Sequence, residues 1–232
     1  MSSHRRSLPQ GLGHFSSVLI ANRGEIVERV ARTAKRMGLR TVAVCSWADR
    51  HAPHAQSCDE TVMLGGERPS ESYLDATKVL QAARQTGVEA IHPGYGFLSE
   101  NPDFAQAVID AGLVWIGPSP ESMRAMGDKA NARQGMHHAG VPVLPGTPAF
   151  ADLKALAQLA HDMPLPLMIK AAAGGGGRGM RWVSAHSELP DALASAQAEA
   201  LSAFGDGRLL IERALIAPRH VEIQLLADAH GQ

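Results

Sequence analysis

The chain has 232 residues, of which 45% are apolar and 19% charged, and its formal net charge at neutral pH is −1. This balance is that of an ordinary globular protein and gives no electrostatic reason to expect a nucleic acid or an anionic membrane as partner. No apolar run approaches the ~20 residues required to span a bilayer. The two cysteines, Cys45 and Cys58, lack Cys-x-x-Cys spacing, which excludes a disulfide scaffold and fits a reducing, cytoplasmic setting.

The first fourteen residues contain Arg5 and Arg6 but no apolar stretch of signal-peptide type, and read as a disordered leader over 1–14. Ser17-Val18-Leu19-Ile20-Ala21 is then a buried strand. Asn22-Arg23-Gly24 turns the chain into a helix with Ile26, Val30, Ala34 and Met37 at helical spacing, stopped by Gly38. Thr41 to Cys45 supplies a second strand. Helical stripes at Ala76, Val79, Leu80 and Ala83, and at Phe104, Val108 and Ile109, precede further strands at Glu89–His92 and Leu113–Ile116. Strands alternating with helices at this interval predict an α/β unit over 15–126, an open and mostly parallel sheet covered on both faces. Ligands gather at the carboxyl ends of such strands, where this chain places Asn22 to Glu25, His92 to Asn101, and Gly117 to Pro120.

Residues 127–232 change character and read as a small α+β domain. A helix over Lys129–Ala139 ends at Gly140, and Val141 to Gly146, with two prolines, is an extended connector. His137 and His138 are adjacent, diverge by about 100 degrees on a helix, and read as surface residues. A helix near Asp152–His161 precedes a strand ending at Lys170. Gly174, Gly175, Gly176 and Gly177 follow, then Arg178, Gly179 and a strand resuming at Met180. Glycines leave the backbone free to enter φ > 0 and approach a ligand, while Lys170 and Arg178 bring positive charge. The run reads as a loop covering the phosphates of a nucleoside triphosphate. It is neither a Walker A loop, which needs Gly-Lys-Ser/Thr opening a helix, nor a Rossmann fingerprint. Ser187 is the expected N-cap of a helix through Leu189, Leu193, Ala196 and Ala200. Strands at Arg208–Glu212 and Val221–Leu226 complete the chain.

Several ordered motifs together carry a resemblance: Ile20 to Ile26, His92 to Asn101, Gly117 to Pro120, Met126 to Lys129, the glycine loop, and Arg219 to Gln224. They resemble biotin carboxylase, the ATP-grasp component of acetyl-, propionyl- and methylcrotonyl-CoA carboxylases and of pyruvate carboxylase. The resemblance runs from about Phe15 to Gln232. It implies a Rossmann-like pre-ATP-grasp domain followed by an incomplete ATP-grasp lid domain, and ATP-dependent carboxylation of biotin by bicarbonate through carboxyphosphate. It also implies ATP and Mg²⁺ as cofactors, biotin presented on a carrier protein or domain, a carboxyltransferase partner, and a homodimer.

By similarity, Lys129 and Lys170 neutralise nucleotide phosphates, and Gly174 to Gly177 with Gly179 and Met180 form the lid above them. Glu212 and Leu215 fall in the hinge receiving adenine, and His220 matches a position that contacts the nucleotide. Arg213 stands where a Lys is common. Catalytic and metal-binding residues of the family are expected beyond Gln232, so weak ATP binding, no carboxylation by this chain alone, and exposed apolar strand edges at its end are the expectation. Two other readings remain: a non-catalytic nucleotide-binding remnant, or another ATP-grasp ligase of the carbamoyl-phosphate synthetase type.

Overall fold

The computed structural model describes residues 15–173 and 179–228. The chain divides into two compact units, 1–124 and 125–232.

In the first unit, five parallel strands form one sheet in the order β3-β2-β1-β4-β5. They are β1 (Ser17–Ile20), β2 (Arg40–Cys45), β3 (Glu60–Met63), β4 (Ala90–His92) and β5 (Val114–Trp115). The helices between them are α1 (Glu25–Arg36), the short α2 (Pro53–Gln56), α3 (Ala76–Thr86) and α4 (Pro102–Asp110). Strands buried on both faces explain why β1 and β2 read as unbroken apolar runs. One face packs Leu19, Val42, Val44, Ile91 and Phe104 into the main core; the other packs Ile20 and Ala43 against Val27 and Ala31 of α1. Phe104 meets Trp115 edge-on at 5.6 Å. Burial of each large side chain here contributes roughly 1.5–3 kcal/mol.

The strand order reverses between β1 and β4, the position at which open α/β sheets bind ligands. Asn22 closes this junction. Its Nδ2 donates to the carbonyls of Pro93 and Tyr95 at 2.8 and 2.7 Å, and its Oδ1 accepts from the Arg23 N–H at 2.9 Å. Gly94 is required beside it: φ is +67°, and a Cβ there would sit 2.6 Å from Asn22 Nδ2.

α5 (Pro120–Gly127) contains the division between the units. In the second unit, β6 (Leu167–Ala171) lies between β7 (Arg181–Val183) and β8 (Leu209–Arg213), antiparallel to both. Three helices belong to it: α6 (Lys129–His138), α7 (Leu153–Ala160) and α8 (Leu189–Phe204). Leu156 of α7 and Leu193 and Ala196 of α8 pack with Leu167, Ile169, Leu209 and Ile211 in one core.

Three sequence expectations need correction. β3 was not foreseen. α8 is capped by Glu188, whose side chain makes no cap bond, while Ser187 lies in a preceding 3₁₀ turn; Pro190 is tolerated only in a first turn and fixes the start. The strand expected at Val221–Leu226 is absent: residues 214–228 have no regular structure among those described, because no strand pairs with them. The apolar side chains expected to be exposed there are so, with Ile223 at 83% and Leu226 at 92%.

Replacing Asn22 with Ala strands two carbonyls in a buried turn. The expected cost is about 1–3 kcal/mol, read as a lower urea midpoint with an unchanged slope; an unchanged midpoint would show that the β1–β4 junction is held by other contacts.

Candidate nucleotide-binding site

β6 alternates. Leu167, Ile169 and Ala171 are buried against α7 and α8, so Met168 and Lys170 must face the opposite side of the sheet. In β8, Leu209 and Ile211 enter the same core, which leaves Glu212 on the face with Lys170. The antiparallel register pairs Lys170 with Leu210 and Met168 with Glu212. Lys170 and Glu212 are therefore diagonal neighbours, and their side chains meet at 2.6 Å. Both are largely buried, with side-chain exposures of 27% and 12%. Arg133 Nε approaches the other Glu212 oxygen at 4.0 Å.

Lys129 opens α6. Asp128 caps that helix, accepting from the N–H groups of Ala130 and Asn131 at 2.9 and 3.0 Å. The Lys129 N–H donates to the carbonyl of Ala172 at 3.2 Å, so the backbones that carry the two lysines are tied together beside the end of β6. Gly174 to Gly177 lie outside the described residues. Gly179 is described: φ is +71°, and a Cβ would come within 3.2 Å of the Ala171 Cβ, so only glycine lets the returning chain approach β6 this closely. Met180, which follows, is 39% exposed.

Leu215 and His220 lie in the irregular segment after β8. Leu215 is half exposed, and the exposed His220 ring partners Glu222 of its own segment at 2.9 Å. The structure thus brings Lys170 and Glu212 together, places the start of α6 beside them, and leaves Leu215 and His220 apart.

Arg133 went unnoticed in the sequence. Its guanidinium donates to the carbonyls of Leu144, Gly146 and Thr147 at 2.8 to 3.1 Å, pinning the extended connector to α6. Its spacing of four from Lys129 puts both cations on one helical face, a signal that was available. A cavity of about 490 Å³ in this unit is lined by Asp128, Asn131, Arg133, His137, Thr147 and Arg208 among others, but by neither Lys170 nor Glu212. Arg208 there is bound to Asp206 and Asp128 at 2.7 and 3.1 Å. Asp206 is held below the usual carboxylate range by its hydrogen bonds from Arg208.

In the first unit, the loops after β1 and β2 carry a charged network of their own. Asp49 accepts from Tyr73 at 2.7 Å, Ser46 at 3.1 Å and Arg23 at 3.2 Å. Burial pushes the Asp49 carboxyl up, but these donors outweigh it and hold the group low; burial and the Asp49 bond push the Tyr73 phenol up. Arg23 lies 5.6 Å from the ring centroids of both Tyr73 and Phe97. Phe97 is one of two non-glycine residues at positive φ among those described. Burial pulls His54 and His92 below the ordinary histidine range. Among the described residues no group of three or more His, Cys, Asp or Glu side chains is placed to hold a metal ion, and no helix is long and apolar enough to cross a membrane.

A parallel sheet reversing at β1 and β4, and in the second unit an antiparallel sheet with a lysine–glutamate pair on its open face, define an ATP-grasp type of protein. Comparison with known proteins narrows this. The biotin carboxylase N-terminal domain matches residues 14–123, and the ATP-binding domain of the carbamoyl-phosphate synthase L chain matches residues 128–232. A biotin carboxylase from Halalkalibacterium halodurans is 49% identical over 218 residues, covering 94% of this chain and 48% of the relative. The alpha3 subunit of a biotin-dependent acyl-coenzyme A carboxylase from Mycobacterium leprae is 49% identical, covering 100% of this chain and 38% of the relative. The crystal structure of a Campylobacter jejuni biotin carboxylase in complex with β,γ-ATP superposes with a TM-score of 0.90 at 45% identity, covering 94% of this chain and 49% of that one. The chain belongs to the biotin carboxylase family and spans about half the length or less of these relatives.

A histidine whose folded pKa is depressed binds its proton more readily unfolded. Stability is therefore full above the unfolded value of about 6.5 and is lost as pH falls from there toward the folded value. The melting temperature is expected to fall between pH 7 and pH 5, and His54→Leu should flatten that slope; an equal slope in the variant would remove His54 as a cause. The depressed Asp49 adds a further loss only at lower pH, below the ordinary carboxylate range.

Proposed function

We propose that the protein is the nucleotide-binding part of an ATP-dependent biotin carboxylase, which activates bicarbonate as carboxyphosphate and passes the carboxyl group to biotin on a carrier. The observation that carries this reading is the largely buried Lys170 ammonium, held by Glu212 on the open face of β6 and separated from the glycine run by three alanines. The family membership supports it. So do relatives named as methylcrotonoyl-CoA and pyruvate carboxylases and a 2-oxoglutarate carboxylase domain dimer solved with MgADP and bicarbonate.

In this reading, a bicarbonate oxygen attacks the γ-phosphorus and ADP departs. Charge spreads over the transferring oxygens, so cations and backbone donors must be in place beforehand. Lys170 and Lys129 supply the cations. Gly174 to Gly177 with Gly179 supply backbone N–H groups from above, and Met180 follows them in the same nucleotide-binding segment. Glu212 orients Lys170, and Leu215 with His220 line the adenine side once the segment after β8 folds over the nucleotide. Among the described residues no group of three or more His, Cys, Asp or Glu side chains is placed to hold magnesium. The partners in this reading are a biotin carrier, a carboxyltransferase and a second copy of the complete protein, in the cytoplasm.

Lys170→Met keeps the apolar stem and removes the charge. In a protein that extends this chain to the length of its relatives, bicarbonate-dependent ATP hydrolysis stimulated by free biotin is expected to fall about 10²- to 10³-fold. Retention of activity would remove Lys170 from phosphate binding, and absence of biotin stimulation in the parent would favour the carbamoyl-phosphate synthetase type of ligase. For the 232-residue chain itself, calorimetry is expected to show ATP binding weaker than micromolar.

A further inference from the structure

An antiparallel bridge between Gly146 and Glu212 lays the extended connector along the outer edge of β8, and Arg133 of α6 reaches into that junction. It makes four hydrogen bonds there, all to the carbonyls of Leu144, Gly146 and Thr147. These acceptors carry no formal charge, so the bonds leave the guanidinium uncancelled. Asp128, on the cap of the same helix, is taken up by the α6 N–H groups and by Arg208. The carboxylate that faces Arg133 is Glu212. Its Oε1 lies 4.0 Å from Arg133 Nε, while its Oε2 holds the Lys170 ammonium at 2.6 Å. All three side chains are largely withdrawn from water, which weakens the screening between them.

Gly146 lets the acid and the guanidinium converge. A Cβ there would lie 2.9 Å from Glu212 Cγ and 3.1 Å from Arg133 Cζ, as well as 2.6 Å from the Ile211 carbonyl oxygen. A bare backbone is therefore the only spacer that fits between them.

We infer, resting on the nucleotide reading above, that Arg133 is a positioning residue for the phosphate-binding lysine and acts through Glu212. With Oε1 drawn toward Arg133, Glu212 meets Lys170 through one oxygen. Without Arg133 the carboxylate is free to turn both oxygens on the ammonium and to occupy a second of its three donors. Charge works in the same direction. Lys170, Glu212 and Arg133 together carry a net positive charge, whereas Lys170 and Glu212 alone are neutral and attract a polyphosphate weakly.

Two substitutions separate charge from hydrogen bonding. Arg133→Lys keeps the cation and loses the planar fork, and Arg133→Gln keeps a donor for the carbonyls and loses the cation. In a protein that extends this chain to the length of its relatives, kcat/KM for ATP is expected to fall about tenfold in Arg133→Gln and less than about threefold in Arg133→Lys, whatever the order of their melting temperatures. In a Glu212→Gln background, loss of Arg133 should cost less than about twofold, since no carboxylate remains to be shared. If Arg133→Gln does not fold, Arg133→Lys decides alone. Losses that follow melting temperature rather than charge, a tenfold loss in Arg133→Lys, parental kcat/KM in Arg133→Gln, or an undiminished loss in the Glu212→Gln background would each overturn the role of Arg133. Where Lys170→Met is costly in the same assay, only that role falls; where Lys170→Met is silent, the nucleotide reading falls with it.

Discussion

An ammonium set into the face of a sheet has to be answered by an anion, and in the second unit that answer is Glu212. The core leaves no choice about direction: once Leu167, Ile169 and Ala171 fill the space under α7 and α8, Lys170 points the other way. The register of β6 on β8 then sets Glu212 diagonally across from it, at 2.6 Å. An exposed pair of this kind contributes about 0–1 kcal/mol. This one is mostly withdrawn from water, so losing either partner strands the other, and the pair fixes geometry more than it adds stability. An ammonium has three donors and no acceptor. Glu212 occupies one of them and thereby aims the remaining two at the open face.

The second constraint is backbone approach, and both units meet it with glycine for the same reason. Gly94 lies where any Cβ would strike Asn22, and Gly179 where any Cβ would press on Ala171. In one case a side-chain amide reaches two carbonyls of a loop; in the other the chain returns from the glycine run tightly along β6. The strained φ of Phe97 belongs to the same economy, since the residue is clamped between Tyr73, 5.4 Å away, and the Arg23 guanidinium.

Much of the fold was legible because its signals are local. The apolar runs of β1 and β2 and the stripes of α1, α3 and α4 involve residues within four or five positions of each other. β3 was not legible: Glu60-Thr61-Val62-Met63 is a short edge strand with its two end residues exposed, and it exists because β2 offers it a ladder. The segment Val221–Leu226 shows the converse. It alternates as a half-buried strand should, but alternation describes only a side chain's preference for one face, and a strand also needs a neighbour to take its backbone hydrogen bonds. Ser187 failed as a cap for a similar reason, because the proline three residues later decided where α8 could begin.

The site was legible in composition and illegible in geometry. Lys170 announced itself as a cation ending an apolar strand, yet its partner is 42 positions away; Asn22 and the Tyr95 carbonyl are separated by 73. No periodicity reaches across such intervals. Only sheet register and strand order bring them together, and a one-residue slip of β8 would turn Glu212 toward the core and Ile211 toward the lysine. That slip is resisted by elements that carry no charge: Thr147 Oγ1 accepts the Ile211 N–H at 3.0 Å, and its backbone N–H donates to the Ile211 carbonyl at 2.8 Å. Arg133 holds the same connector through three carbonyls. The alignment of Lys170 with its counter-ion is thus set from the connector side of β8, by residues whose own chemistry gives no hint of a nucleotide.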